Sequence, residues 1–597
     1  MLLQRLAEHA GHAREQGVMP PPFYRFRSVR WAIQLQPDGT PAVLRLADLS
    51  DDEHPAGLQL AVPYVNRSGV RPPPMLLADD LRYVTGFAAD DPEREQADSS
   101  RRNSEFTALV RAWRDSAPDD TVAGAVASFF ERGLHRRMEP PPEFAKATDV
   151  AAIMVEGKWA HERASAITFW AGVVRERKSS DLTGRCLVCG AVRPLLGTIP
   201  EMVKAGAIPA GSGRGRDAAL VSMNNPAQGR GGKLQLASAP VCDQCGSAAM
   251  SGLNSLLADG TSRYRMTDSV LAWWLRDGRR LPMMQWLNEP KPGQVAQFFK
   301  EFRAPGRRGS PGTFDAGAFC AVTLSVNQAR VVVRDWLEVP LSEVQGHLES
   351  WDADHAVTGL WEDGPRLVPL WLLAASAGRW GTEQGQERYI RSFMPDGCER
   401  DLLLTALRGT PPHGYLLPHL MQRIRADRHV DLPRAALLRL ILTRAPGRRR
   451  KESYMTGLDP DLASPPYQCG RLFAVLEDIQ RAALGRDVNT TIADKYLSAA
   501  TAAPLAILTM LRKNANGHLR RVRRSSGGAY YALSARLDEV LGHISPDGGS
   551  GSGIPATLPL AGQAEFILGY HHQRAADLAA ARARKQDNST PDSGDPR

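Results

Sequence analysis

The chain has 597 residues, 74 Lys+Arg against 65 Asp+Glu, a formal charge of +9 and a pI near 9.2, with 43% hydrophobic and 23% charged residues. This is a globular composition, which excludes disordered, collagen-like and coiled-coil classes, and no run approaches the roughly 18 uninterrupted apolar residues of a bilayer span. Seven cysteines make a secreted disulfide framework a poor explanation.

The opening MLLQRLAEHAGHAR carries charges inside its apolar run and predicts an amphipathic helix, not a signal peptide, so a cytoplasmic protein is expected. Trp31–Gly39 alternates apolar and polar residues and meets a Pro-Asp-Gly turn, from which Ala42–Leu46 can return as a second strand. Proline triplets at 20–22, 72–74 and 140–142 favour extended segments. Apolar spacing of three and four predicts helices over 105–135 and 148–178. Residues 206–232, rich in Gly, Arg and Ser, read as a loop. AFCAVTLSVNQARVVVRDWLE (318–338) reads as strands about an Asn-Gln turn. From about 366 the pattern is mostly helical, with a SPDGGSGSG linker at 545–553.

The expected fold class is α+β. A mixed α/β N-terminal domain covers 1–180, and a zinc-knuckle insertion with a basic Gly/Arg loop covers 181–250. A central α/β region follows over 251–365, then a C-terminal helical bundle over 366–584 and a disordered tail over 585–597.

Cys186-Leu-Val-Cys189-Gly190 and Cys242-Asp-Gln-Cys245-Gly246 are two C-x-x-C-G units. Two residues between thiolates let a tight turn aim both sulfurs at one ion, and two such turns supply the four ligands of a closed, structural zinc site. Four unrelated buried cysteines would have to fall into matched units by chance, and a redox dithiol explains only one pair. Cys320, Cys398 and Cys469 stand alone and read as core packing.

Positive charge is clustered. Residues 421–451 hold ten Lys/Arg and two Asp, with Arg423, Arg425 and Arg428 in one segment and Arg448–Lys451 after a Pro-Gly break. Residues 511–524 hold six Lys/Arg, including Arg520, Arg521, Arg523 and Arg524, and no acid. Solvated helix faces normally mix signs, so the asymmetry favours a phosphate-binding surface over a merely solvated one. Asn66-Arg67-Ser68-Gly69-Val70-Arg71 forms a loop whose Arg and Asn suit a DNA groove, although on these residues alone an ordinary polar loop is the better explanation.

Catalytic patterns are absent: there is no P-loop, H-E-x-x-H or G-x-S-x-G. Asp352-Ala-Asp354-His355 and Asp459-Pro-Asp461 read as solvated turns, and His571-His572 as surface or packing histidines. A zinc-containing nuclease or a zinc-ribbon DNA-binding regulator stays open as an alternative.

Six segments carry a family resemblance: PPPFYRFRSVRWAIQLQPDG, VPYVNRSGVRPPPMLLADDLRYVTG, LSVNQARVVVRDWLEVPLSEVQGHLESW, HLMQRIRADRHVDLPRAALLRLIL, YQCGRLFAVLEDIQRAALG and EFILGYHHQR. In this order they resemble the large subunit of the type I-C CRISPR-associated effector complex (Cascade). The resemblance implies a non-catalytic subunit of an RNA-guided complex that recognises the protospacer-adjacent motif (PAM) in target double-stranded DNA. It also implies that the subunit stabilises the displaced strand and helps to recruit a helicase-nuclease. Implied partners are guide RNA, backbone and guide-end-capping subunits, and a small subunit begun internally at Met455. Arg67, Ser68, Gly69 and Arg71 fall in the family's PAM-proximal loop. Where family members often have a shorter K-P-N-F-L, this chain has R-P-P-P-M-L-L, and many members lack Cys189 and the second cysteine pair, which makes the zinc site a subgroup feature.

Overall fold

Continuous apolar runs decide where the sheets lie. In the computed structural model, which describes residues 1–67, 71–87, 92–209, 216–302, 318–447, 454–485, 490–544 and 553–587, the chain forms two compact units, 1–281 with 316–338 and 282–315 with 339–597.

The first unit begins with α1 (Leu2–Glu15), followed by β1 (Tyr24–Val29), β2 (Trp31–Leu35), β3 (Ala47–Asp48), β4 (Leu58–Pro63) and β5 (Ala78–Asp80). Next come α2 (Leu81–Val84), α3 (Pro92–Ser116), α4 (Thr121–Glu131), β6 (Val150–Val155), β7 (Lys158–Trp159) and α5 (Ala164–Lys178). The run VAAIMV, expected to be helical, is the central strand β6, parallel to β2 and antiparallel to β5. Its apolar residues are continuous because both faces of the sheet are covered, with Trp31, Trp113, Trp170, Phe106 and Phe129 fully buried around it. The expected return strand at Ala42–Leu46 shrinks to a single bridge, Leu35 to Pro41. Pro41 has no N–H to offer a ladder, and Val43 and Leu44 are exposed.

The same unit continues through the hairpin β8 (Ser179–Arg185) and β9 (Val192–Leu196), helix α6 (Asp243–Ala258), and a sheet of β10 (Arg263–Arg265), β11 (Val270–Leu275), β12 (Phe319–Asn327) and β13 (Arg330–Val339) in sequential order. The β12–β13 turn places Gln328 at φ 56°. Helix α1 buries Leu6, Ala10 and Ala13; Leu6 shares a core with Leu253 and Leu257 of α6 and Trp274 of the sheet.

The second unit is mainly helical: α7 (Met283–Asn288), α8 (Gln294–Phe302), α9 (Leu341–His355), α10 (Leu370–Ser376), α11 (Cys398–Arg408), α12 (Leu416–Asp427), α13 (Leu432–Thr443), α14 (Pro465–Leu484), α15 (Ile492–Ala502), α16 (Pro504–Ser525), α17 (Gly527–Ile544) and α18 (Leu560–Asp587). Two small hairpins interrupt it, β14 (Val357–Thr358) with β15 (Pro365–Arg366), and β16 (Arg379–Glu383) with β17 (Gln386–Ile390). Asp352 and Asp354 lie on α9, not in a solvated turn, and Asp354 pairs with Arg444 at 2.7 Å. Helices α14 and α18 approach closely at Gly470 and Gly569, where an added Cβ would strike the Phe566 and Tyr467 carbonyls. Among the described residues, no helix is long and apolar enough to cross a membrane. Residues 545–552 of the 545–553 linker and the residues after 587 lie outside the described residues.

His355 and His571 are buried and neutral in this unit. Each meets a backbone carbonyl through one ring nitrogen, Trp351 O at 2.6 Å and Thr358 O at 3.0 Å. Burial holds both near pKa 4, below the ordinary 6.5. The unfolded chain therefore binds protons that the folded chain refuses, so their contribution is present above about pH 6.5 and is lost as pH falls toward 4. Unfolding followed by circular dichroism between pH 7 and 5 should show stability falling with a slope that steepens toward a limit of about 1.4 kcal/mol per pH unit for each such histidine. His571→Gln should flatten that slope.

Candidate metal centre and basic surfaces

The hairpin β8–β9 carries Cys186 and Cys189 in its turn, and the N-terminus of α6 carries Cys242 and Cys245. Backbone pairing joins them: Leu187 N–H donates to Pro240 O and Leu196 N–H to Val241 O, each at 2.9 Å. All four Sγ atoms lie within 4.8 Å of one another. Burial raises the Cys186 thiol, but N–H groups of Cys189, Cys242 and Val188 aimed at the sulfur outweigh it and bring the pKa to about 7. Burial and the neighbouring sulfurs push Cys245 up. Four thiols gathered with N–H donors pointing at one of them can hold a soft or borderline cation. The two glycines serve different ends. Gly190 takes φ 73° in the knuckle turn, whereas Gly246 lies within α6 and leaves room for the Leu196 side chain.

The loop residues are divided. Arg67 is held inward: its terminal nitrogens donate to both oxygens of Asp79 at 2.8 and 2.9 Å and to Pro73 O at 3.2 Å, and it lies 4.9 Å from the Tyr83 ring. Asp79 is fully buried and also accepts N–H bonds from Met75 and Asp80. Asn66 is tied by its backbone, its N–H donating to Pro200 O and its carbonyl accepting from Lys178 Nζ. Arg71 is exposed, and Ser68 and Gly69 lie outside the described residues. Beside this loop opens a cleft of about 440 Å³ lined by Arg25, Arg27, Asn66, Arg67, Lys204 and Asp217, in which Arg25 pairs with Glu201 at 3.5 Å and Arg27 with Asp80 at 3.7 Å. Arg25 and Arg27 were missed in the sequence. Their signal is the alternation Tyr-Arg-Phe-Arg on β1, which puts both on one face.

The 421–451 cluster is much less free than its composition suggests. Arg434 is fully buried, paired with Asp427 at 2.5 Å and donating to the carbonyls of Ser376, Gly378 and His429. Arg439 donates to the carbonyls of Ala353 and Tyr454, and Arg444 to Asp354 and Thr405 O. These are struts of the core. Arg423 is half-buried, Arg425 and Arg428 are exposed, and Arg448–Lys451 lie outside the described residues. By contrast, Arg512, Lys513, Arg520, Arg521, Arg523 and Arg524 on α16 are all exposed, and none forms an ion pair among the described residues. Arg523 lies 5.6 Å from the Tyr530 ring. The last turns of α16 are thus an uncompensated cationic surface, placed where the helix dipole favours positive charge.

The family model for CRISPR-associated protein (Cas_Csd1) matches residues 3–577. No curated protein matches the chain.

Proposed function

Since the chain belongs to the Cas_Csd1 family of CRISPR-associated proteins, we propose that it is the non-catalytic large subunit of an RNA-guided type I-C surveillance complex. In such systems guide pairing reads the sequence, while protein reads a short motif and grips backbone. In this reading the first unit meets the PAM in duplex DNA. Arg71 and the Arg25–Arg27–Lys204 cleft contact the DNA, while Arg67, latched to Asp79, sets the loop's position. The second unit holds the displaced strand and helps to recruit the helicase-nuclease. Other effector subunits and guide RNA are its partners, a small subunit is begun at Met455, and the setting is the cytoplasm. The four cysteines hold a structural zinc, which fits their donor set and their place between two elements of the fold.

The observation that carries the strand-holding role is the exposed, unpaired basic surface of α16. Phosphate contacts give affinity and salt dependence without sequence preference. Changing Arg520, Arg521, Arg523 and Arg524 together to Gln should weaken binding on every target and reduce the slope of log K against log salt by roughly three for a single strand. Arg71→Ala should instead remove the preference for PAM-bearing duplex while complexes still assemble. Titrations of the assembled complex on both targets at several salt concentrations separate the two. An unchanged salt slope in the quadruple variant would remove α16 from the DNA path. Equal loss on PAM and non-PAM duplex would remove Arg71 from motif reading.

A further inference from the structure

The second unit carries another cationic surface, built on rings. Hairpin β16–β17 turns at Gln384-Gly385, both at positive φ. It is fixed from below: the Trp380 ring stacks on His429 at 4.0 Å and 3°, the Trp380 backbone N–H donates to Asp427 at 2.9 Å, and the Tyr389 hydroxyl donates to Asp431 at 2.6 Å. By the open end of the hairpin, opposite its turn, the fold exposes two large aromatic side chains, Phe393 at 45% and, on α10, Trp371 at 41%. Each carries guanidinium groups. Arg379 and Arg423 lie 5.5 and 6.0 Å from the Phe393 ring, and Arg391 lies 5.9 Å from that of Trp371. Arg391 and Phe393 belong to one short turn, so the rings and cations form one patch. None of these three arginines forms an ion pair among the described residues.

Exposed rings on a firm base, with unpaired cations at their edges, match the repeating chemistry of a single nucleic-acid strand: a flat base and an adjoining phosphate. We propose that Trp371 and Phe393 are a base-stacking platform for single-stranded nucleic acid, with Arg379, Arg391 and Arg423 on its phosphates. The proposal rests on reading this unit as the strand-holding part, and adds that bases are held as well as backbone. Helix α16 offers charge alone; this patch supplies an affinity component that salt does not screen.

The test uses the full-length protein with two probes, labelled oligothymidine and an abasic oligonucleotide of equal length. Joint replacement Trp371→Ala and Phe393→Ala should lower affinity for oligothymidine by roughly tenfold or more per ring. Affinity for the abasic strand and the salt slope should change by less than about twofold, since the phosphate contacts remain. The pair Trp371→Phe and Phe393→Tyr should restore most of the loss. Unaltered oligothymidine binding in the Ala pair overturns the platform, and unaltered binding with lost complex assembly does so by assigning the patch to a protein contact. Equal loss on both probes also overturns it, because stacking would not be the cause. If the unaltered protein binds neither probe at low salt, the strand-holding reading fails with it.

Discussion

On the proposed zinc assignment, a Cys242→Ser protein should lose its metal and loosen the described chain between the two knuckles. Serine keeps the size and suits the N-cap position of α6 that Cys242 occupies, but offers no thiolate. Between β9 and Cys242 the described chain has only short turns and isolated bridges, Val203 to Ala218 and Ala219 to Arg330. Its ends are held by the Leu195–Cys242 bridge and by the four sulfurs. In peptides with nothing else to hold them, structural zinc contributes about 10–16 kcal/mol. Here the β8–β9 ladder and the α1–α6 packing also hold the elements around the site, so the loss should be smaller, on the order of several kcal/mol. Metal content by atomic emission should fall to zero, the melting temperature should drop, and limited proteolysis should cut the spacer. Cys320→Ser, away from the cluster, should keep its zinc. A Cys242→Ser protein with full zinc would refute the assignment, and a chelator should reproduce the loss in the unaltered chain.

Arg67→Ala should destabilise the first unit by about 3–5 kcal/mol, because it leaves the Asp79 carboxylate buried without its cation. The two N–H bonds that Asp79 keeps from Met75 and Asp80 place the expected value toward the lower end. Burial already pushes the Asp79 carboxyl up, and Arg67 is the largest influence opposing it. In the variant, the folded state therefore holds a proton that the unfolded state releases, so the deficit is greatest near neutrality and shrinks as pH falls toward the carboxylate range. Denaturant titrations at pH 7.5 and 5.5 check both size and sign. A deficit independent of pH would assign the loss to packing on Tyr83 instead. Arg71→Ala, by comparison, should leave stability within about 0.5 kcal/mol, as an exposed substitution.

These two sites differ in how much of them could be read from the chain. The cysteine cluster was legible because a rare residue recurs at fixed spacing, and two such turns supply four thiolates to one site. The basic surface of α16 was legible because its six cations have no acid within reach along the helix. Arg67, Arg434 and Arg444 read as surface charge for the opposite reason: their partners Asp79, Asp427 and Asp354 are supplied by the fold, in the last case from a helix 90 residues earlier. Local composition does not reveal such burial. The hairpin that supports the platform is hidden by period. R-W-G-T-E-Q-G-Q-E-R-Y-I alternates about a Gln-Gly turn, a hairpin pattern, but it sits among helices and was read with them. In the same way VAAIMV, fully apolar, carries no period that separates a buried strand from a buried helix.

The glycine contact of α14 with α18 bears on how the gene can be divided. The two helices stand at opposite ends of the sequence that follows Met455, and they meet so tightly that neither tolerates a side chain at the crossing. A polypeptide started at Met455 would carry both halves of that clasp. Its largest helix pair could close without anything encoded upstream, leaving the earlier helices as a surface it can share or release.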